Sequence, residues 1–163
     1  MKTMKRFIFS MALLTFFGAA LVSCNNDDEA EIGEAGNKLE GINATWVLVE
    51  AEIQDDNDIN KQTRSVFDYY GAGVPPEIAF NSNSFSFTTT ANGKRNFFGS
   101  GGTWAFDDND YPTMITLNDD LLGIIEVQMT ATIRPQDSRL KLNYARDCGG
   151  DVYATYFFEY ERK

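Results

Sequence analysis

Residues 124–133, Ile124-Ile125-Glu126-Val127-Gln128-Met129-Thr130-Ala131-Thr132-Ile133, alternate apolar and polar side chains from end to end. A period of two is the mark of a strand with one buried face. It predicts Ile125, Val127, Met129, Ala131 and Ile133 pointing inward and Glu126, Gln128, Thr130 and Thr132 pointing out. Pro135 cannot donate to a ladder, and Gln136-Asp137-Ser138 supplies turn chemistry. The next strand is expected over 139–144, where Leu140, Leu142 and Tyr144 share a face.

The same pattern continues in both directions. Downstream, 145–151 reads as a loop and 152–162 (VYATYFFEYER) as a final strand. Upstream lie a short strand at 113–117 and another at 103–106 that points Trp104 and Phe106 the same way. Asp107-Asp108-Asn109-Asp110 forms a turn between them. Residues 84–90 (SFSFTTT) put Phe85 and Phe87 on one side, and Asn92-Gly93 signals a hairpin into 95–100. A weaker strand follows Pro75-Pro76 at 77–80. Residues 44–53 (ATWVLVEAEI) alternate Val47, Val49, Ala51 and Ile53 against Trp46, Leu48, Glu50 and Glu52. Residues 60–70 are the one stretch suited to a helix, of about two turns. About eight short strands separated by turns predict an all-β antiparallel barrel or sandwich.

Composition allows one such domain. The 163 residues are 43% hydrophobic and 13% aromatic, enough for a sizeable core. The aromatic share is mostly Phe and Tyr, which suit pleated, half-buried surfaces. The formal net charge of −10 comes without any cluster of Lys or Arg, so the counterion-releasing surface of a nucleic-acid binder is missing. The chain has no histidine. That excludes Ser-His and Cys-His catalysis and removes the commonest zinc ligand.

The first 23 residues carry a different signal. Lys2, Lys5 and Arg6 precede a nearly unbroken apolar stretch over 7–22, too short for a comfortable membrane span and typical of a secretory leader. It ends Leu21-Val22-Ser23-Cys24, which resembles the bacterial lipobox. By that resemblance the Cys24 thiol receives diacylglycerol, the leader is removed, and acyl chains such as palmitate hold the mature N-terminus to a membrane. Loss of Lys2, Lys5 and Arg6 makes the remainder more acidic still. Asn25-Asn26-Asp27-Asp28-Glu29-Ala30-Glu31 resembles the surface-export signal of Bacteroidota-type lipoproteins and reads equally well as a solvated tether. The expected organisation is therefore a signal peptide over 1–23, a lipidated flexible linker over 24–41 and a barrel over 42–163. The expected address is the outer membrane, facing the periplasm or the cell surface. With Cys24 acylated, Cys148 has no partner for an internal disulfide and reads as a small buried residue or a reactive thiol.

A family resemblance covers 42–163. Ala44-Thr45-Trp46-Val47-Leu48-Val49 resembles the Gly-x-Trp-x-Leu strand that opens lipocalin-like domains of bacterial lipoproteins, with Ala44 in place of the usual Gly. Gly101-Gly102-Thr103-Trp104-Ala105-Phe106-Asp107-Asp108 is similar to an internal element of that family. Leu140-Lys141-Leu142-Asn143-Tyr144 with Phe157-Phe158-Glu159-Tyr160-Glu161-Arg162 is similar to its closing hairpin. The resemblance implies an eight-stranded up-and-down barrel whose interior holds side chains or one small ligand. It also implies that Trp46 plugs one end.

Candidate binding residues follow from the inward aromatics. Trp46, Phe85, Phe87, Trp104, Tyr156 and Phe158 either line a cavity for a small apolar or amphipathic ligand or pack as core. Tyr69, Tyr70, Tyr111 and Trp104 beside Asp/Asn-rich loops have the chemistry for sugar stacking. Asp56 opens an Asp-x-Asp-x-Asn run, but Lys61 takes the glycine position of a calcium loop and Phe67 its last position. Asp107, Asp108 and Asp110 read as a weak ion site or a solvated turn. There is no Gly-x-Ser-x-Gly elbow and no phosphate loop. The expectation is a non-enzymatic binding protein without cofactor or metal. It binds a small ligand in the barrel or, alternatively, acts as a surface interaction or carbohydrate-binding accessory with a filled barrel.

Overall fold

Strand β1 (Thr45–Asp55) pairs at one flank with β3 (Glu77–Asn81) and at the other with the final strand β9 (Asp151–Arg162). That second pairing runs from Trp46 opposite Arg162 to Asp55 opposite Ala154 and closes the sheet on itself. Between them lie β4 (Ser86–Thr90), β5 (Gly101–Phe106), β6 (Met114–Asp119), β7 (Gly123–Met129) and β8 (Arg139–Cys148), each antiparallel to its neighbours. The result is an all-β, closed, eight-stranded up-and-down barrel, as in lipocalin-like folds. The ninth strand, β2 (Thr63–Ser65), pairs with Glu52–Gln54 beyond the reach of β3. The computed structural model describes residues 36–71, 73–90 and 97–163. The leader, Cys24, the acidic stretch behind it and the Asn92-Gly93 turn lie outside the described residues.

A β-bulge sets the inward face of β1. Leu48 pairs with Tyr160 and Glu50 with Glu159, so Val49 is an extra residue. Trp46 and Leu48 point inward before it, and Ala51 points inward after it. The expected alternation of Val47 and Val49 with Ala51 therefore holds only past the bulge. Val47 and Val49 are half-buried on the opposite side.

Helix α1 (Lys38–Ile42) closes the end of the barrel where β1 begins, here the lower end. The Asn37 side chain caps it by accepting from the Leu39 and Glu40 N–H groups at 3.1 and 3.3 Å. Ile42 is fully buried, and its carbonyl accepts from Trp46 Nε1 at 3.0 Å. The Arg162 guanidinium lies 4.6 Å from the Trp46 ring centre and donates from Nε to the Asp137 carbonyl at 3.0 Å. Residues 38–41 fall within the stretch expected to be tether. They are helical because Ile42 and Gly41 pack on the barrel, Gly41 against the Arg134 backbone.

Several local expectations need correction. Strand β7 stops at Met129, so Ala131 is exposed, although Ile133 is buried again under the lower end. Residues 145–148 are strand and not loop. β8 and β9 join at Gly149-Gly150, both at positive φ (70° and 96°), the conformation a tight hairpin needs and side chains resist. The 60–70 stretch gives β2 and the one-turn helix α2 (Phe67–Gly71) in place of a two-turn helix.

Residues 97–100, expected as strand, form turns and bends. β4 pairs directly with β5, with Phe87 opposite Gly102. The diversion is held by Asp119, whose carboxylate accepts from Ser100 N at 2.8 Å and Gly101 N at 3.2 Å. Gly99, at φ 75°, leaves the space this carboxylate fills, because a Cβ there would collide with it.

Candidate functional site

The barrel interior is occupied by its own side chains. In the lower half, Phe80 packs 6.5 Å from Phe87 and 5.6 Å from Trp104 (ring centroids), and Phe106 lies 5.1 Å from Trp104. In the upper half, the connection after β4 delivers Phe97 and Phe98 to the aromatics of β8 and β9. Phe97 is 4.6 Å from Tyr156, 5.5 Å from Phe158 and 5.8 Å from Tyr144, and Phe98 is 5.4 Å from Phe158. Tyr70 of α2 covers Phe97 at 5.1 Å. Rings at these separations and tilts form an ordinary aromatic core.

The six candidate ligand residues are thus divided. Trp46 belongs to the lower closure. Phe87 and Trp104 form the lower cluster, and Phe158 and Tyr156 form part of the upper one. Phe85 does not point inward. It sits at φ 48° in the β3–β4 turn, is 44% exposed, and covers Trp104 from outside at 5.6 Å. Its carbonyl accepts from Trp104 N, a bond that holds the chain in the turn and starts the strand one residue later. Phe106, on the face of Trp104 as its spacing predicts, joins the filling, and Phe80, Phe97, Phe98 and Tyr70, which alternation does not mark as interior, complete it. The adjacent Phe97-Phe98 pair is the signal for it, since a strand over 95–100 would turn only one of the two rings inward and the turn admits both. Within the lower cluster, Trp104 Nε1 is buried and has no hydrogen-bond partner among the described residues.

Loop carboxylates are engaged by backbone N–H groups. Asp107 accepts from Thr113 N and Met114 N, both at 3.0 Å, and from Thr113 Oγ1 at 2.6 Å. These bonds, led by the Thr113 hydroxyl, hold its pKa down to about 2. Asp108 accepts from Asp110 N and Tyr111 N. Asp56 binds Thr155 Oγ1 at 2.6 Å and Gln54 Nε2 at 2.8 Å, which lowers its pKa below the usual range. Asp119 also accepts from Leu121 N and Leu122 N at 2.9 and 2.8 Å. With these bonds foremost and that from Ser100 next, its pKa is lowered to about 2. One carboxylate therefore ties the aromatic-bearing connection to the β6–β7 turn.

That turn borders a gap in the wall. β7 and β8 pair only at Gln128 opposite Asn143 and Met129 opposite Leu142. Above this the strands part, leaving a groove of about 360 Å³ lined by Ile124, Glu126, Gln128, Asn143, Ala145 and Asp147, with Met114 at its margin. Leu121 and Leu122, 85% and 56% exposed, stand at its upper end, and Ile124 is 72% exposed. Tyr69 and Tyr111, two candidates for sugar stacking, are exposed on helix α2 and on the β5–β6 loop, at opposite ends of the barrel, whereas Tyr70 is half-buried and Trp104 buried. They do not form one platform. Cys148 is exposed beside the β8–β9 turn, contrary to the expectation of a buried residue.

No model of a known protein family matches the chain, and no curated protein matches it either.

Proposed function

We propose that this chain is a lipid-anchored outer-membrane protein whose filled barrel acts through its outer surface, as a non-enzymatic interaction module. The observation that carries this reading is the occupancy of the interior. Phe97 and Phe98 fill the upper half, where a carrier of apolar ligands keeps space. Apolar side chains are instead presented outside, at Leu121, Leu122 and Ile124.

The test is titration with N-phenyl-1-naphthylamine, a probe that fluoresces in apolar cavities. The parent domain is expected to give no saturable signal, and the Phe97→Ala/Phe98→Ala variant, with its upper half emptied, is expected to gain one. Saturable one-to-one binding by the parent overturns the reading. It would favour the small-ligand alternative, for which the unpaired Trp104 N–H offers one hydrogen bond to a ligand acceptor.

The anchor rests on Cys24, and its removal is tested separately. A Cys24→Ser precursor is expected to stay unlipidated and to migrate more slowly, with its leader retained. The leader-free domain starting at residue 25 is expected to partition into water in a detergent phase separation. Unchanged mobility and membrane partition of Cys24→Ser would refute the lipid assignment.

A further inference from the structure

We infer that the parted seam between β7 and β8 is a docking site for an extended peptide carrying basic residues, which binds by strand addition. This rests on the reading of the barrel as a surface binder and names the class of partner.

The hydrogen-bond alternation shows which groups the seam offers. Met129 N donates to the carbonyl of Thr113, the residue before β6, and Thr130 N, just past β7, donates to the Lys141 carbonyl on β8. Odd positions of β7 therefore bond toward β6, and even positions face β8. Gln128 meets Asn143 across the seam. The next positions in that ladder would set Glu126 opposite Ala145 and Ile124 opposite Asp147. Among the described residues neither pair forms. Two N–H and two C=O groups on each wall thus face the groove, a template that an incoming strand satisfies.

Charge selects the occupant. Glu126 and Asp147 stand on opposite walls, and no Lys or Arg lines the groove among the described residues. Of the cations on β8, Arg146 lies against the Tyr153 ring of β9, 5.9 Å from its centre, and Lys141 is held by Glu159 at 2.8 Å. A second copy of this chain would bring acidic seam to acidic seam, and like charges opposed across a ladder destabilise it. In an added strand every second side chain shares the outer face with Ile124, Glu126, Ala145 and Asp147. An extended peptide alternating Lys or Arg with small apolar residues therefore sets its cations beside the two carboxylates and turns its apolar side chains inward, toward Ile125 and Tyr144 of the groove lining.

The experiment uses a capped peptide of alternating valine and lysine, about seven residues long to match the reach of a strand. Amide hydrogen exchange is read residue by residue. In the free protein the Ile124, Glu126, Ala145 and Asp147 amides are expected to exchange fast, and at saturating peptide to slow by about tenfold or more. The Glu126→Lys/Asp147→Lys variant is expected to bind the peptide about tenfold more weakly, and a peptide N-methylated at alternate amides is expected not to bind. The proposal is overturned if those amides are already protected in the dilute free protein, or if they stay unprotected with peptide. It is also overturned if the variant binds as tightly as the parent, or if protection appears without peptide as protein concentration rises, which assigns the seam to self-association. Dye binding in the interior sinks the filled-barrel reading whatever the seam does, and unprotected seam amides sink only the peptide site.

Discussion

Trp46→Ala is expected to cost about 3–5 kcal/mol of folding stability, the range for deleting a large buried aromatic. A domain of this kind has only about 5–15 kcal/mol in total. Trp46 is fully buried at the point where three parts of the chain meet. Its N–H ends helix α1 at the Ile42 carbonyl, its face carries the Arg162 guanidinium, and its backbone pairs with Arg162 and with Ile78. Truncation leaves a cavity and frees the guanidinium from its ring. The thermal midpoint should fall by roughly 10–25 °C. Trp46→Phe keeps a ring under Arg162 but loses the bond to Ile42 and part of the buried volume, so its cost should be smaller, about 1–3 kcal/mol. Denaturant unfolding of both variants checks the order, and equal losses would show that the ring–cation contact contributes nothing.

The second large effect is expected at Asp119, through its dependence on pH. Its carboxylate is 2% exposed and accepts four backbone N–H bonds, from Ser100, Gly101, Leu121 and Leu122. They hold its pKa at about 2, below the ordinary 3.8. The folded state therefore favours the charged form. Its stabilisation is complete above the ordinary value and is lost as pH falls from about 4 through about 2. Asp119→Asn replaces one acceptor oxygen with an amide that donates toward N–H groups, so the midpoint should drop at neutral pH. The gap between parent and variant should narrow toward pH 2. Asp107 shifts in the same direction but is present in both proteins, so the difference isolates Asp119. A gap that stays constant from pH 6 to pH 2 would show that the carboxylate charge is not what the four amides hold.

Much of the fold could be read because burial and alternation coincide. Ile125, Val127 and Met129 point inward where the period of two requires, and Leu140 and Leu142 do the same on the next strand. The failures have physical causes that alternation does not carry. The bulge at Val49 depends on how many residues β9 sets opposite β1, a property of the pair and not of either strand. The 97–100 segment looked like strand because Phe97-Phe98 follows a good turn signal. It left the sheet because a carboxylate about 20 positions later captures its amides. The spacing of Phe85 to Phe87 puts both rings inside only if the strand begins before Phe85, and it begins at Ser86. The candidate site was less legible than the fold. The aromatics that fill the interior can be listed from sequence, but whether they leave space depends on rings arriving from a connection. The seam leaves no trace at all, since β7 and β8 each keep their alternation on either side of the parting.

Closure of β1 onto β9 imposes an order on how the molecule is made. The strand at the start of the domain finds one of its two neighbours only in residues 154–162, and Lys163 N itself bonds to the Thr45 carbonyl. Such a high contact order makes the final step slow and leaves no partial barrel that hides its edges. A chain cut before β9 would keep seven barrel strands and two raw borders. The barrel therefore stays unsealed, with bare backbone borders, for as long as β9 is missing.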